Sequence, residues 1–226
     1  MWVGSTGDAT LPTTGRPSAG NAPSTAVYSG QVPHIDVASS LLLVIDAQDG
    51  FYPPARIDVD HEAKLQVLDR VAWVCAVARG LDVPMIVTEE DADTNGPTAP
   101  QVVNALVPGT VAHVKTVFGA TDNPAIAAAI DDVGRGVAVI VGMETDVCVA
   151  QSALGLSQRG LRPVVVHDAV YSAGTAHEFG LARLRAEGVE LVSAKELYYE
   201  WLRALPAARA FDEAHPELGD PPGFAL

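Results

Sequence analysis

The chain has 226 residues, 48% of them hydrophobic, and a formal net charge of −14. That length holds one sizeable core, and that apolar content sets the chain apart from sequences that stay disordered. The acidic balance argues against nucleic acid or an anionic membrane as a main partner. No apolar run approaches the roughly 18 residues of a membrane helix.

Residues 1–35 are rich in Gly, Ser, Thr, Pro and Ala and carry almost no charge. They read as a flexible low-complexity tail that buries too little surface to order itself, and they lack the basic-then-apolar pattern of a signal peptide. From about residue 40 the pattern changes. Leu41-Leu42-Leu43-Val44-Ile45 is a continuous apolar run, expected of a strand covered on both faces. A helix is predicted over 62–79 with Gly80 as its stop, then a strand over 83–87. A short strand over 112–114 leads into Lys115. A helix follows over 124–132, capped near Asp122 or Asn123. Strands at 137–141, 162–166 and 189–192 alternate with helices at 149–159, 175–187 and 194–204. Alternation with short connections predicts βαβ units in a three-layer α/β/α, Rossmann-like sandwich around a mostly parallel six-stranded sheet. The domain is expected over 36–205. The Pro- and Gly-rich residues 206–226 form a C-terminal arm, most clearly from Phe211 onward.

Only two cysteines occur, Cys75 and Cys148. Cys75 lies in an apolar helical run and reads as an inert core residue. Free thiols, a reducing compartment and a cytoplasmic location are the expectation. Cys148 is different. It follows the strand ending at Val141 and Gly142, near the start of a helix, where a helix dipole favours a thiolate.

In an open parallel sheet, functional groups gather past the carboxyl ends of the strands. Asp46, Lys115 and Cys148 each sit at such a place, on three different strands. The cysteine supplies a nucleophile. The carboxylate can accept its proton and return it to a leaving amine, while the ammonium lowers the thiol pKa and holds the carboxylate. Backbone N–H groups around Glu144 and Cys148 are placed to stabilise an oxyanion.

Three segments resemble one family in the right order: Leu43-Val44-Ile45-Asp46-Ala47-Gln48-Asp49-Gly50-Phe51, Lys115-Thr116-Val117-Phe118, and Gly142-Met143-Glu144-Thr145-Asp146-Val147-Cys148-Val149. They look like the isochorismatase-like cysteine hydrolases, a family that includes nicotinamidases and N-carbamoylsarcosine amidohydrolases. The resemblance covers about residues 38–205. It implies a catalytic triad of Asp46, Lys115 and Cys148 and a cis peptide bond between Met143 and Glu144, which would turn the Glu144 N–H toward the oxyanion beside that of Cys148. Asp146 reads as a cap and Thr145 as a turn residue. Phe51 and Phe118 are the substrate-binding candidates, and Gln48 is placed to orient Asp46 or a nearby loop.

The resemblance also carries a departure. Nicotinamidases bind a metal through an Asp-x-His pattern after the second strand, where this chain reads Thr88-Glu89-Glu90-Asp91. His61, His113, His167 and His177 are scattered without ligand spacing. The acidic residues Glu89, Glu90, Asp91 and Asp93 read as a solvated loop, with a hard cation as the lesser alternative. The segment therefore looks like the metal-free branch of the family. The expectation is a cysteine amidohydrolase that cleaves a small-molecule amide-type C–N bond through a thioester, with no cofactor and no metal. The resemblance also implies a homo-oligomer. Isochorismatase-type ether hydrolysis and a non-catalytic or redox-sensing oligomer are the rival expectations.

Overall fold

The first strand, β1 (Ser40–Ile45), is buried along its whole length. A computed structural model describes Met1, residues 33–223 and residues 225–226, so nearly all of the expected tail lies outside the described residues. The account below concerns the unit from His34 to Leu226. Leu42 and Val44 join one apolar cluster while Leu41, Leu43 and Ile45 join a second. That division follows from the two-residue period of a strand, and it explains the unbroken apolar run: both faces of β1 are core.

A short 3₁₀ turn over Asp49–Phe51 leads to α1 (His61–Gly80), whose Asp60 cap accepts from the Ala63 N–H. Next come β2 (Met85–Glu90), α2 (Ala92–Asn95), α3 (Pro100–Ala105) and β3 (His113–Lys115). Asn123 then caps α4 (Pro124–Val133), which Gly134 ends in the left-handed region. The order continues with β4 (Val137–Met143), a π-helical turn (Thr145–Val149), α5 (Ala150–Gln158) and β5 (Arg162–Tyr171). It closes with α6 (Ala176–Ala186), β6 (Glu190–Val192), α7 (Ala194–Leu202) and α8 (Leu205–Ala214).

Six strands form one sheet in the order β3-β2-β1-β4-β5-β6, and every pairing is parallel. The strand order reverses between β1 and β4, so the crevice where ligands bind in such sheets opens at their carboxyl ends. One core cluster takes α1, α3, α7 and α8 on one face; the other takes α4, α5 and α6. This is the expected three-layer arrangement.

Two elements differ from the sequence reading. β5 runs on to Tyr171, past the polar His167 and Asp168, because a register shift opposite Ile140 and Gly142 absorbs them. The segment expected as an arm begins with α8, whose Phe211 is buried beside Tyr198. The residues after it are tied to α1: Trp73 donates to the Gly219 carbonyl at 3.1 Å, and Arg70 donates to the Pro222 carbonyl. Trp201 is buried in α7 and donates to Ser40 Oγ, so Trp201, like Trp73, is part of the core.

Candidate active site

Four neighbouring strands each present a reactive group at the same rim. β1 gives Asp46 just past its end, β2 ends in Glu90, β3 ends in Lys115, and the turn after β4 gives Cys148. Asp46 adopts a left-handed backbone with φ 46°, uncommon outside glycine and typical of residues held for a purpose. Its side chain and that of Lys115 are both fully buried, and Lys115 Nζ lies 2.6 Å from Asp46 Oδ2. Thr88 Oγ1 donates to the other carboxylate oxygen at 2.7 Å. Lys115 Nζ also donates to the Val117 carbonyl at 3.0 Å and to Cys148 Sγ at 3.6 Å. The three expected triad residues therefore meet.

A fourth group joins them. Cys148 Sγ donates to Glu90 Oε2 at 3.0 Å. Glu90 was expected in a solvated acidic loop; instead it ends β2 and touches the thiol, and Glu89 beside it accepts from Thr98 N and Oγ1 at 2.8 Å each. The strand period carries the reason: Thr88 and Glu90 are two apart, so both face the rim that holds Asp46. That two-residue spacing was the available signal, and the run of acids concealed it. Gln48 holds the end of β2 in place, accepting from the Glu90 N–H at 2.7 Å and donating to the Glu90 carbonyl at 3.1 Å and the Gly96 carbonyl at 2.5 Å.

The electrostatics depart from expectation. Burial pushes the Cys148 thiol well above its usual range, Asp46 and Glu90 push it further, and Lys115 pulls back. The expected lowering fails because Cys148 is buried inside the π-helical turn with two carboxylates and one ammonium around it. Burial likewise raises the Asp46 carboxyl, against the pull of Lys115, Thr88 and the thiol. Burial and the two carboxylates thus favour the protonated form of Cys148. Asp46, Glu90 and Cys148 bring three ligand-type atoms within 4.8 Å of one another. Lys115 Nζ already supplies the positive charge between Asp46 and the sulfur, so a metal ion would have to displace it.

The turn carrying the cysteine is fixed from several sides. Gly142 has φ 117°, and a Cβ there would stand 1.9 Å from the Ile45 carbonyl oxygen, so only glycine lets β4 approach β1 at this level. The Met143–Glu144 peptide bond is cis. The Glu144 carbonyl accepts from the Val147 and Val149 N–H groups at 3.2 and 3.0 Å. Its side chain accepts from the Tyr52 hydroxyl at 2.9 Å, and burial raises its carboxyl above the usual range. Thr145 Oγ1 lies 3.0 Å from His177 Nδ1 on α6. Asp146, expected as a cap, makes no capping bond; it accepts from Ser172 Oγ at 2.6 Å and so ties the turn to the end of β5. Tyr52, Thr88, Ser172 and the role of His177 were not legible in the sequence, because their partners lie on distant strands.

The two phenylalanines separate. Phe51 is half-buried and packs on the core beside Tyr52, with ring centroids 6.3 Å apart. Phe118 is 49% exposed, so it does not share the burial of the triad.

The model of the isochorismatase domain matches residues 40–196, a span that contains all four groups. The chain belongs to the isochorismatase domain family. Isochorismatase domain-containing protein 2A of Mus musculus is 31% identical over 183 residues, covering 80% of this chain and 79% of that protein. Among solved structures, the YcaC gene product of Escherichia coli, described as an octameric hydrolase of unknown specificity, superposes with a TM-score of 0.72 at 22% identity. It covers 84% of this chain and 95% of its own. YcaC from Pseudomonas aeruginosa gives a TM-score of 0.71 at 24% identity, covering 84% and 96%. The family is one of hydrolases built on this α/β sheet.

Proposed function

We propose that this isochorismatase-like hydrolase is a cysteine amidohydrolase that opens an amide-type C–N bond of a small molecule through a thioester. The carrying observation is the fully buried Asp46–Lys115 ion pair with its ammonium 3.6 Å from Cys148 Sγ. Burying two charges is costly, and a fold that does so beside a thiol holds charge ready for the reaction there. Cys148 attacks the carbonyl carbon and its proton passes to a carboxylate of the site. The N–H groups of Glu144 and Cys148 receive the oxyanion, and the tetrahedral intermediate collapses with a protonated nitrogen leaving. Water then releases the acid from the thioester. Lys115 and Asp46 keep the charges around the sulfur balanced in both halves. Phe51 and Phe118 remain the proposed substrate contacts. The structure of Pseudomonas aeruginosa YcaC contains covalent acrylamide, which supports an electrophile-capturing site on this fold.

Cys148→Ala is expected to abolish ammonia or amine release across a panel of small amides while leaving the unfolding transition in place. Turnover at the wild-type rate in that variant would end the proposal. Ether hydrolysis surviving in it would favour the isochorismatase-type alternative.

The reading extends to assembly. The Escherichia coli neighbour is octameric, and here Val111, Val114, Val117 and Phe118 are exposed along the β3 edge. An apolar sheet edge of this kind is suited to pairing with another copy. Sedimentation is expected to show a homo-oligomer, and a monomer at micromolar concentration would contradict this.

A further inference from the structure

The charges around Cys148 do not balance. The Asp46 carboxylate offsets the Lys115 ammonium and also shares a hydrogen bond with the thiol. Glu90 is surplus to that set. Its Oε2 lies 3.0 Å from Sγ, it is half-buried, and among the described residues it makes no ion pair. Gln48 holds its backbone on both sides and Asn95 Nδ2 donates to its carbonyl at 3.0 Å, which fixes where the side chain starts. More negative charge adjoins it. Glu144, in the turn before Cys148, lies within electrostatic reach of both Glu90 and Asp146. Arg56 is the cation that acts on Glu144, but Asp58 engages its guanidinium at 3.0 and 2.6 Å. A carboxylate this close to a sulfur nucleophile opposes negative charge there unless a cation enters with the substrate.

We infer that the substrate is a small amide carrying a cationic nitrogen, an ammonium or guanidinium, close to its scissile carbonyl, and that Glu90 is the residue that selects it. The inference rests on the amidohydrolase reading of Cys148 and leaves proton transfer with Asp46. A carbonyl carbon poised for attack sits about 3–3.5 Å from the sulfur. An N–H of the cation pairs with Glu90 Oε2 at about 2.7–2.9 Å. Since that oxygen is itself a hydrogen-bond length from Sγ, the charge belongs near the carbonyl and not at a remote end of the molecule. The incoming N–H takes the place of the thiol proton on Glu90, which leaves that proton to Asp46. The same cation offsets the surplus acids as the sulfur becomes negative. An anionic amide meets Glu90 and Glu144 as like charges and is turned away.

The test reads charge preference in two ways. In the first, Cys148 is modified by aminoethyl or sulfonatoethyl methanethiosulfonate, a cation and an anion of similar size. Each transfers its thioalkyl group to Sγ with loss of methanesulfinate. Rates come from peptide mass spectrometry, normalised to a small neutral thiol in solution, with Cys75 as the silent control because burial pushes its thiol up to about 12. The cation is expected to react about ten-fold or more faster than the anion, and added salt narrows the gap. Glu90→Gln keeps the shape and removes the charge, so the ratio falls several-fold, and Glu90→Lys reverses it. Using the ratio cancels any change in thiol acidity. In the second, kcat/KM is compared for glycinamide, propionamide and malonamate. The order expected is cation, neutral, anion, with the cation-to-neutral ratio about ten-fold in wild type and collapsing in Glu90→Gln. A Cys148 that ignores the cationic reagent, a ratio that Glu90→Gln leaves unmoved, or a wild type that prefers the neutral amide overturns the inference. The underlying reading fails separately, by amide turnover that survives in Cys148→Ala.

Discussion

At the residue scale, the site is a balance of charges in a dry place. Lys115 is the one cation touching both Asp46 and the sulfur among the described residues. Lys115→Met would strand the Asp46 carboxylate in the core, at a cost of about 3–5 kcal/mol. Urea unfolding checks this, and adding Asp46→Asn to the same chain should recover part of the loss without recovering activity. Equal stability of wild type and Lys115→Met would show that the pair is not buried as described. Asp46, Lys115 and Cys148 were legible in the sequence because each follows an apolar strand run, and strand ends are where such sheets keep their chemistry. Glu90 was not, since four acids within 89–93 have the composition of a solvated turn. Its inward direction depends on where β2 ends, and the expected strand stopped three residues short.

At the element scale, the turn that carries Cys148 is positioned by close backbone contact. β4 passes β1 with Gly142 against the Ile45 carbonyl, and α6 meets the turn where a Cβ on Gly180 would stand 2.8 Å from Asp146 N. Gly142→Ala is expected to cost about 1–3 kcal/mol or more by overpacking, and to lower kcat by disturbing the turn. Thermal unfolding and steady-state kinetics read the two effects; a variant that matches wild type in both would remove this contact from the account. The strands were legible because β1 and β4 are apolar on both faces. The continuation of β5 was hidden by His167 and Asp168 at the register shift, and α8 by the proline and glycine around it. Local composition marks buried regular segments well. It fails where a tertiary contact, such as Phe211 on Tyr198, decides the structure.

At the scale of the whole molecule, several buried acids share one direction. Burial raises both thiols above their ordinary 9.0, and it is also the leading cause raising the Tyr52, Tyr171 and Tyr198 phenols above 10.0. The folded chain then keeps protons that the unfolded chain loses at high pH. Stability from these groups is fully present below about pH 9 and declines as pH rises through the raised values. Chemical denaturation between pH 7 and 10.5 should therefore show a falling unfolding free energy, and a flat profile would contradict the burial of these groups. Among the described residues no helix is long and apolar enough to cross a membrane. What joins these scales is the proposal that the sheet edge presents Cys148 to a carbonyl. Intact-protein mass spectrometry within seconds of mixing with small amides tests it most directly. The account predicts a mass gain equal to the acyl group, localised by digestion to the Cys148 peptide and absent from Cys148→Ala. Amide turnover by an enzyme that never gains this mass, with Cys148→Ala equally active, would contradict it.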